Sequence, residues 1–386
     1  MLNTAVIHNH PIHYKHLLFE AMVSEGLAFE VLFTGAGSTI RREQIPLKTA
    51  RYSYRIGFDG PYEKSSAKQT IRFVWRSLSE LNPATVIIGG YYDIAAWTAW
   101  TWSNFHRRPA IMWNETNSFD RPRIWWKEKL KQLFVSRLHA AHVYGLSNKE
   151  YLMLLGMKDN DIIIKRAVGD VARFHPHARR DRIEDEPLDL LYVGRLAPEK
   201  NLSVLLEAYA ATPLPARDKI RLSIVGYGPE ETKLRALAER LQITDGVWFE
   251  GVMTQAQLPA RYSQADCFIL PSLSEPWGLV ALEAMLCRLP VLVSTQCGCA
   301  RDLVSPLTGR TFSPFSAETI TRLFCELSKL PREELRRMGD TSRTLAESYS
   351  AENCARIVAR TVSEAISRRQ LHQSQPRTQV AHSREQ

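Results

Sequence analysis

The chain has 386 residues, 45% of them apolar and 24% charged, and a formal net charge of +9. Such a composition excludes a disordered chain and predicts two or three domains of roughly 100–200 residues each. The six cysteines fall between Cys267 and Cys354 without zinc-finger or Cys-x-x-Cys spacing, which favours reduced thiols in the cytoplasm over a disulfide frame or a metal site. Cys297 and Cys299 read as two buried thiols. No run of about 20 apolar residues occurs, so no spanning helix is expected. The opening MLNTAVIHNHPIHY lacks the basic region and apolar block of a secretory signal. The positive charge permits nucleic acid, a membrane surface or an anionic small molecule as partner. No nucleic-acid-binding module is present in the sequence, so a nucleic-acid partner is not expected.

Along the chain, short apolar runs alternate with helical periodicity. The first series of strands is Thr4–His8, Phe29–Thr34, Thr85–Gly89, Ala110–Trp113 and His142–Gly145, with Asp161–Lys165 as a sixth. Helices are predicted between them at Lys15–Ser24, Ala67–Leu81, Ile94–Phe105, Trp125–His139 and Asn148–Leu155. The charged, proline-bearing stretch GDVARFHPHARRDRIEDEP, residues 169–187, breaks the pattern and reads as a linker. A second series follows, with strands Leu188–Val193, Ile220–Val225, Val247–Phe249, Cys267–Leu270, Pro290–Val293 and Gly309–Phe312. Its helices are Leu202–Ala210, Glu230–Leu241, Gln255–Tyr262, Leu279–Leu286, Ala317–Lys329, Arg332–Glu347 and about Ala351–Ser367. Alternating strands and helices imply parallel sheets covered on both faces. The expected fold is α/β, with two doubly wound Rossmann-like domains facing a central cleft. Residues 1–168 form the first domain and 188–348 the second. A C-terminal helix over 349–368 is expected to pack back on the first domain, before a disordered tail over 369–386.

Three segments of the second half bear on chemistry. In Gly194-Arg-Leu-Ala-Pro-Glu-Lys200 two cations follow a strand, where Arg offers a planar fork and Lys a point charge to a diphosphate. They read equally as solvated surface cations. Gly226-Tyr-Gly228 permits close backbone approach, but Glu231 stands where a dinucleotide fingerprint needs its third glycine, and a tight turn is the plainer reading. In PSLSEPWGLVALEA a strand ends at Pro271 and a helix starts near Gly278, where free backbone N–H groups favour an anion. Glu275 precedes that start, as a ligand contact or a cap. Glu283 sits inside the otherwise apolar LVALEAML, where a buried carboxylate needs donors such as ligand hydroxyls; the alternative is a solvated face.

The Glu-x7-Glu spacing of SEPWGLVALEA resembles the signature of retaining GT-B glycosyltransferases of glycosyltransferase family 4. LLYVGRLAPEKNL, LSIVGYGPEETKL, VWFEGVMTQAQLPARYSQADCFILPS, LPVLVSTQCGCARDLV and the linker segment AVGDVARFHP resemble further family segments in the same order. The resemblance implies a nucleoside-diphosphate sugar, such as a UDP-sugar, as donor, and neither a separate cofactor nor a metal. It implies that Arg195 and Lys200, beside Gly194, bind the diphosphate and stabilise the leaving group, and that Glu275 bonds the donor sugar. Gly278, Leu279 and Val280 would offer N–H groups, Glu283 would bond the ribose, and Gly226, Val252 and Met253 would line the donor side. Asp159-Asn160-Asp161 reads as a loop before a strand and not as a metal motif. The chain departs from the family at Cys297-Gly298-Cys299 and Asp302, where Gly-Gly and Glu are common. It also lacks the family's histidine in Met112-Trp113-Asn114-Glu115-Thr116-Asn117. Glu115 stands there either as its sugar-binding or acceptor-orienting replacement or as a cap or loop carboxylate, and Asn114 beside it is an acceptor-side candidate. His13, in a segment that replaces the glycine-rich first loop, is a candidate phosphate or acceptor contact, or a structural histidine. Tyr91, in Gly89-Gly-Tyr-Tyr-Asp93, is placed on the acceptor side.

Residues 121–137 mix basic and bulky apolar side chains. On a helix Trp126, Leu130, Leu133 and Phe134 share a face flanked by Lys127, Lys129 and Lys131. That pattern suits an anionic membrane surface and a lipid-linked acceptor, and equally a core helix with a basic outer face. The expected activity is retaining transfer of a sugar to a saccharide or lipid-linked acceptor in cell-surface polysaccharide or glycolipid synthesis. The expected location is cytoplasmic, peripheral on the inner face of the membrane. The alternatives are a nucleotide-sugar epimerase on the same scaffold and a non-catalytic binding subunit.

Overall fold

The computed structural model describes residues 4–39, 45, 47–120, 123–177 and 186–374, of which 369–374 are described as backbone only. Residues 178–185 of the expected linker, Arg121 and Pro122 of the basic segment, and the expected tail from 375 onward lie outside them.

Thirteen strands are present among the described residues. The first sheet contains β1 (Thr4–His8), β2 (Phe29–Phe33), β3 (Ser53–Ile56), β4 (Thr85–Ile88), β5 (Ala110–Asn114), β6 (Ala140–Val143) and β7 (Ile162–Ile164), in the order β3-β2-β1-β4-β5-β6-β7. The second contains β8 (Leu188–Val193), β9 (Ile220–Val225), β10 (Val247–Gly251), β11 (Cys267–Leu270), β12 (Val291–Ser294) and β13 (Gly309–Phe312), in the order β10-β9-β8-β11-β12-β13. The registered pairs are parallel, as in β8 on β9, where Leu188 faces Ile220 and Val193 faces Val225. The inner strands are unbroken apolar runs because helices cover both faces; every residue of β4, β8, β11 and β12 is buried. Both orders are doubly wound, so the α/β expectation holds.

Local signals explain the helix ends. Ser66 and Gln69 form a capping box at the start of Ala67–Leu81, and Asn82, at φ 44°, ends it. Asp93 caps Ile94–Phe105 by accepting the Ala96 N–H at 2.8 Å.

Several differences from expectation have physical reasons. β3 is an extra edge strand whose four residues are half-buried or exposed, so it carries no apolar run. β6 lies two residues earlier than predicted. The helix starting at Trp125 stops at Val135, where the backbone tightens into i→i+3 bonds from Arg137 and Leu138. The short helices Leu214–Arg217 and Ala300–Leu303 hold too few residues to show a period. The last helix runs to Ser374, into the stretch expected as tail.

The chain divides into two compact units. One comprises 1–113, 133–142 and 355–386; the other comprises 114–132 and 143–354. No helix among the described residues is long and apolar enough to cross a membrane.

Candidate active site

In the second sheet β8 and β11 are neighbours, and the winding reverses between them. Ligands of doubly wound sheets bind beyond the carboxyl ends of the strands at such a reversal. The loops leaving those two ends are residues 194–201 and 271–278. They are tied together by a backbone bond from Leu273 N–H to the Glu199 carbonyl, 2.9 Å. Lys200 closes a short 3-10 turn and donates from Nζ to Glu275 Oε2; the two side chains are only 17% and 15% exposed. Thus the fold joins two of the predicted site residues, 75 positions apart, in one ion pair at the expected rim. Arg195 is half exposed and pairs instead with Glu199 at 3.3 Å.

The glycines explain how these loops approach one another. A Cβ on Gly226, at φ +141°, would lie 1.8 Å from the Gly194 carbonyl oxygen, and one on Gly228 would lie 2.2 Å from that of Leu196. The Gly-x-Gly after β9 is therefore required by the backbone of the loop after β8. Val252 and Met253 follow β10 beside it, since Gly226 N–H donates to the Gly251 carbonyl at 2.8 Å. Val252 is exposed and Met253 half-buried.

Glu275 is held by the Cys297-Gly-Cys299 loop. Its N–H donates to the Gln296 carbonyl (3.3 Å), and its carbonyl accepts from Gly298 N–H (3.0 Å). A side chain at Gly298 would meet the Pro276 oxygen at 2.1 Å. Cys297 and Cys299 are buried thiols, as expected, and burial pushes both well above the ordinary thiol range. Gly278, at φ +105°, starts the helix Leu279–Leu286. Leu279 and Val280, in its first turn, have no intrahelical carbonyl to donate to. Glu283 is half-buried and its Oε2 accepts from the Tyr262 hydroxyl at 3.1 Å; burial and this carboxylate hold the Tyr262 hydroxyl protonated.

Elsewhere, Glu115 is half-buried and accepts from the Tyr144 hydroxyl at 2.5 Å. Asn114 is buried, with its amide bonded to the Thr116 carbonyl, N–H and hydroxyl. Tyr91 is buried against Phe134, while Tyr92 beside it is the exposed ring. His13 opens the helix His13–Ser24 and is half-buried. Asp159, in the Asp-Asn-Asp segment, pairs with Lys149. Phe134 corrects the face expected on the basic helix: it stacks on Trp100 in the core, whereas Trp125, Trp126, Leu130 and Leu133 are exposed. Lys131 bonds Glu128 and Tyr151 instead of flanking that face.

Sequence reasoning missed Asn117, Tyr144 and Tyr262, whose partners are distant in the chain. It also missed a buried charge cluster in which Arg261 bonds both Asp189 and Glu250 and Asp189 accepts from Ser223. That cluster holds the Asp189 carboxyl below its usual range against burial. It ties Asp189, near the amino end of β8, to Glu250, near the carboxyl end of β10.

The family model of glycosyl transferases group 1 matches residues 176–373, just over half of the 386-residue chain. The chain belongs to that family. It is 38% identical over 154 residues to D-inositol 3-phosphate glycosyltransferase 2 of Catenulispora acidiphila, covering 36% of each protein. It is 36% identical over 110 residues to alpha-monoglucosyldiacylglycerol synthase of Streptococcus pneumoniae, covering 28% of this chain and 25% of that one. The matched stretch thus spans about a third or less of these relatives. Over 94% of this chain and 100% of the other, the fold superposes with a TM-score of 0.72 and 15% identity on Anabaena Alr3699/HepE, solved in complex with UDP and glucose. Together with the two parallel sheets, that likeness gives this group 1 member the GT-B fold.

Proposed function

We propose that the chain is a retaining glycosyltransferase that moves a sugar from a nucleoside-diphosphate sugar to a hydroxyl of a saccharide or lipid-linked acceptor. The observation that carries this reading is the Lys200–Glu275 pair on the loops after β8 and β11, at the reversal of the second sheet. In this reading the diphosphate draws Lys200 and Arg195, and the N–H groups of Leu279 and Val280 add donors without charge. Glu275 accepts from the sugar hydroxyls, Glu283 from the ribose, and the base lies by Val252 and Met253. As the bond from the anomeric carbon to the phosphate oxygen breaks, negative charge grows on the phosphate, where preorganised cations act most strongly. The acceptor oxygen forms its bond on the same face and passes its proton to the departing phosphate. This route retains configuration and requires neither a covalent enzyme intermediate nor a metal ion.

The test is sugar release from a panel of nucleotide sugars, followed by NMR, beside Glu275→Ala. We expect release from one donor with retained configuration, reduced about a hundredfold or more in the variant. Epimerisation of a donor selects the epimerase instead, and turnover unchanged in Glu275→Ala removes Glu275 from the site.

The exposed face of Trp125–Val135 supports peripheral attachment to an anionic leaflet from the cytoplasm. Trp125 is 78% exposed, and Lys127 and Lys129 flank it. Replacing Trp125 and Trp126 by Ser is expected to lower co-sedimentation with anionic liposomes severalfold; a parent protein that does not sediment with them refutes the attachment.

A further inference from the structure

The loop after β5 reaches the Glu275 loop through one fully buried amide. Asn117 Nδ2 donates to the carbonyl oxygens of Pro276 (3.0 Å) and Glu275 (3.4 Å). The orientation of that amide is fixed, because its Oδ1 accepts the Phe119 N–H at 3.1 Å and leaves the NH2 end toward the two carbonyls. The loop carrying it is braced. Asn117 N–H donates to the Asp120 carboxylate at 3.2 Å, and Arg123 donates to the carbonyls of Asn117 and Ser118 while lying 3.9 Å over the Tyr151 ring. A second tie runs the other way, from the Ser274 hydroxyl to the Asp120 carbonyl at 2.9 Å. Residues 274, 275 and 276 are thus gripped in succession, and all these partners belong to one compact unit.

We propose that Asn117 is a positioning residue: it fixes the peptide planes on either side of Pro276, the first of which carries the Glu275 carbonyl, and so aims the Glu275 carboxylate. The proposal rests on the glycosyltransferase reading of the site. Three contacts hold Glu275 from the far side: its N–H on the Gln296 carbonyl, the Gly298 N–H on its own carbonyl, and Lys200 on its carboxylate. Asn117 supplies the opposing hold. Without it the Pro276 carbonyl loses this donor, and the peptide between Glu275 and Pro276 is held by the Gly298 N–H without its opposing bond. A carboxylate displaced by about 1 Å still sits in the site but loses much of its effect on the reaction. Lys200 and the N–H groups of the Leu279–Leu286 helix, which face the diphosphate in this reading, lie outside the grip of Asn117.

The experiment compares Asn117→Ala, Asn117→Asp and Glu275→Ala, with uridine diphosphate as the binding probe and sugar release from UDP-sugars as the turnover probe. For Asn117→Ala the expected result is kcat lower by about 10–100-fold with uridine diphosphate affinity within about threefold of the parent. Asn117→Asp is the sharper variant, because a merely structural role does not produce its signature. Ionised, the new carboxylate faces two carbonyl oxygens and repels them; protonated, its O–H donates to one. Its kcat should therefore recover as pH falls, in an ionisation absent from the parent and from Asn117→Ala. Should Asn117→Ala fail to fold, this profile decides. Unchanged kcat in Asn117→Ala, or a folded Asn117→Asp whose pH profile parallels the parent's, overturns the positioning role while Glu275→Ala remains inactive. A Glu275→Ala variant with parental turnover instead brings down the reading of the site itself.

Discussion

The two sheets share one winding, but the loops at their strand ends are made of different material. After β8 and β11 the chain places an ion pair, and glycines allow loop backbones to touch. The strand ends of the first sheet carry rings. His10, after β1, stacks on Tyr62 at 5.3 Å; Tyr91, after β4, packs on Phe134; and the Lys15 ammonium lies 4.4 Å over Trp113 of β5. The loops of the second sheet are built around fixed charge and backbone contact. Those of the first are built around buried rings packed on one another.

The hardest test of that contrast is Gly226→Ala. The added methyl meets backbone 1.8 Å away at a φ of +141°, so neither a rotamer change nor a small shift relieves it. We expect a loss of about 4 kcal/mol in stability, measured by urea unfolding, together with lost uridine diphosphate affinity. A variant with parental stability and affinity shows that the loops after β8 and β9 need not touch. The matching test in the first sheet separates two adjacent tyrosines. Tyr91→Ala empties a packed site and is expected to cost about 3 kcal/mol. Tyr92→Ala, at an exposed ring, should stay within about 0.5 kcal/mol. Equal effects at the two positions break the distinction between core ring and available ring.

The same contrast explains what was legible in the sequence. Lys200 and Glu275 could be found because each stands on a loop that follows an apolar run, where a parallel sheet opens to ligand, and because the Glu-x7-Glu spacing resembles a family signature. The winding of both sheets was legible for the same reason, since inner strands must be apolar on both faces. The edge strand β3 was not, because half its positions meet water. Asn117 was invisible for a different reason. A neutral amide carries no local signal, and its partners lie 158 and 159 residues away. The face of the basic helix was misjudged by one residue type: periodicity places Phe134 with the tryptophans, but stacking on Trp100 takes it into the core.

Asp302 offers the smallest and most specific test, because it is a departure from the family pattern whose carboxyl is perturbed within an easily reached pH range. Its carboxylate accepts the N–H of Leu146, the first residue of the helix Leu146–Leu154, at 3.1 and 3.3 Å to its two oxygens. That helix end favours the anion. Burial opposes it more strongly and pushes the Asp302 carboxyl up to about 6. Between the ordinary aspartate value of about 4 and 6, the folded chain holds a proton that the unfolded chain has released. Fewer protons on the unfolded state means that stability falls as pH rises through that window and is lowest above it. Asp302→Asn keeps an acceptor for Leu146 and cannot ionise. It should therefore match the parent near pH 4 and exceed it by about 1–2 kcal/mol at pH 8, allowing for partial solvent screening. Urea unfolding at several pH values reads this directly. Parallel curves for the two proteins mean that the helix end compensates the burial of Asp302 in full, and that the acidic residue at this position costs the fold nothing.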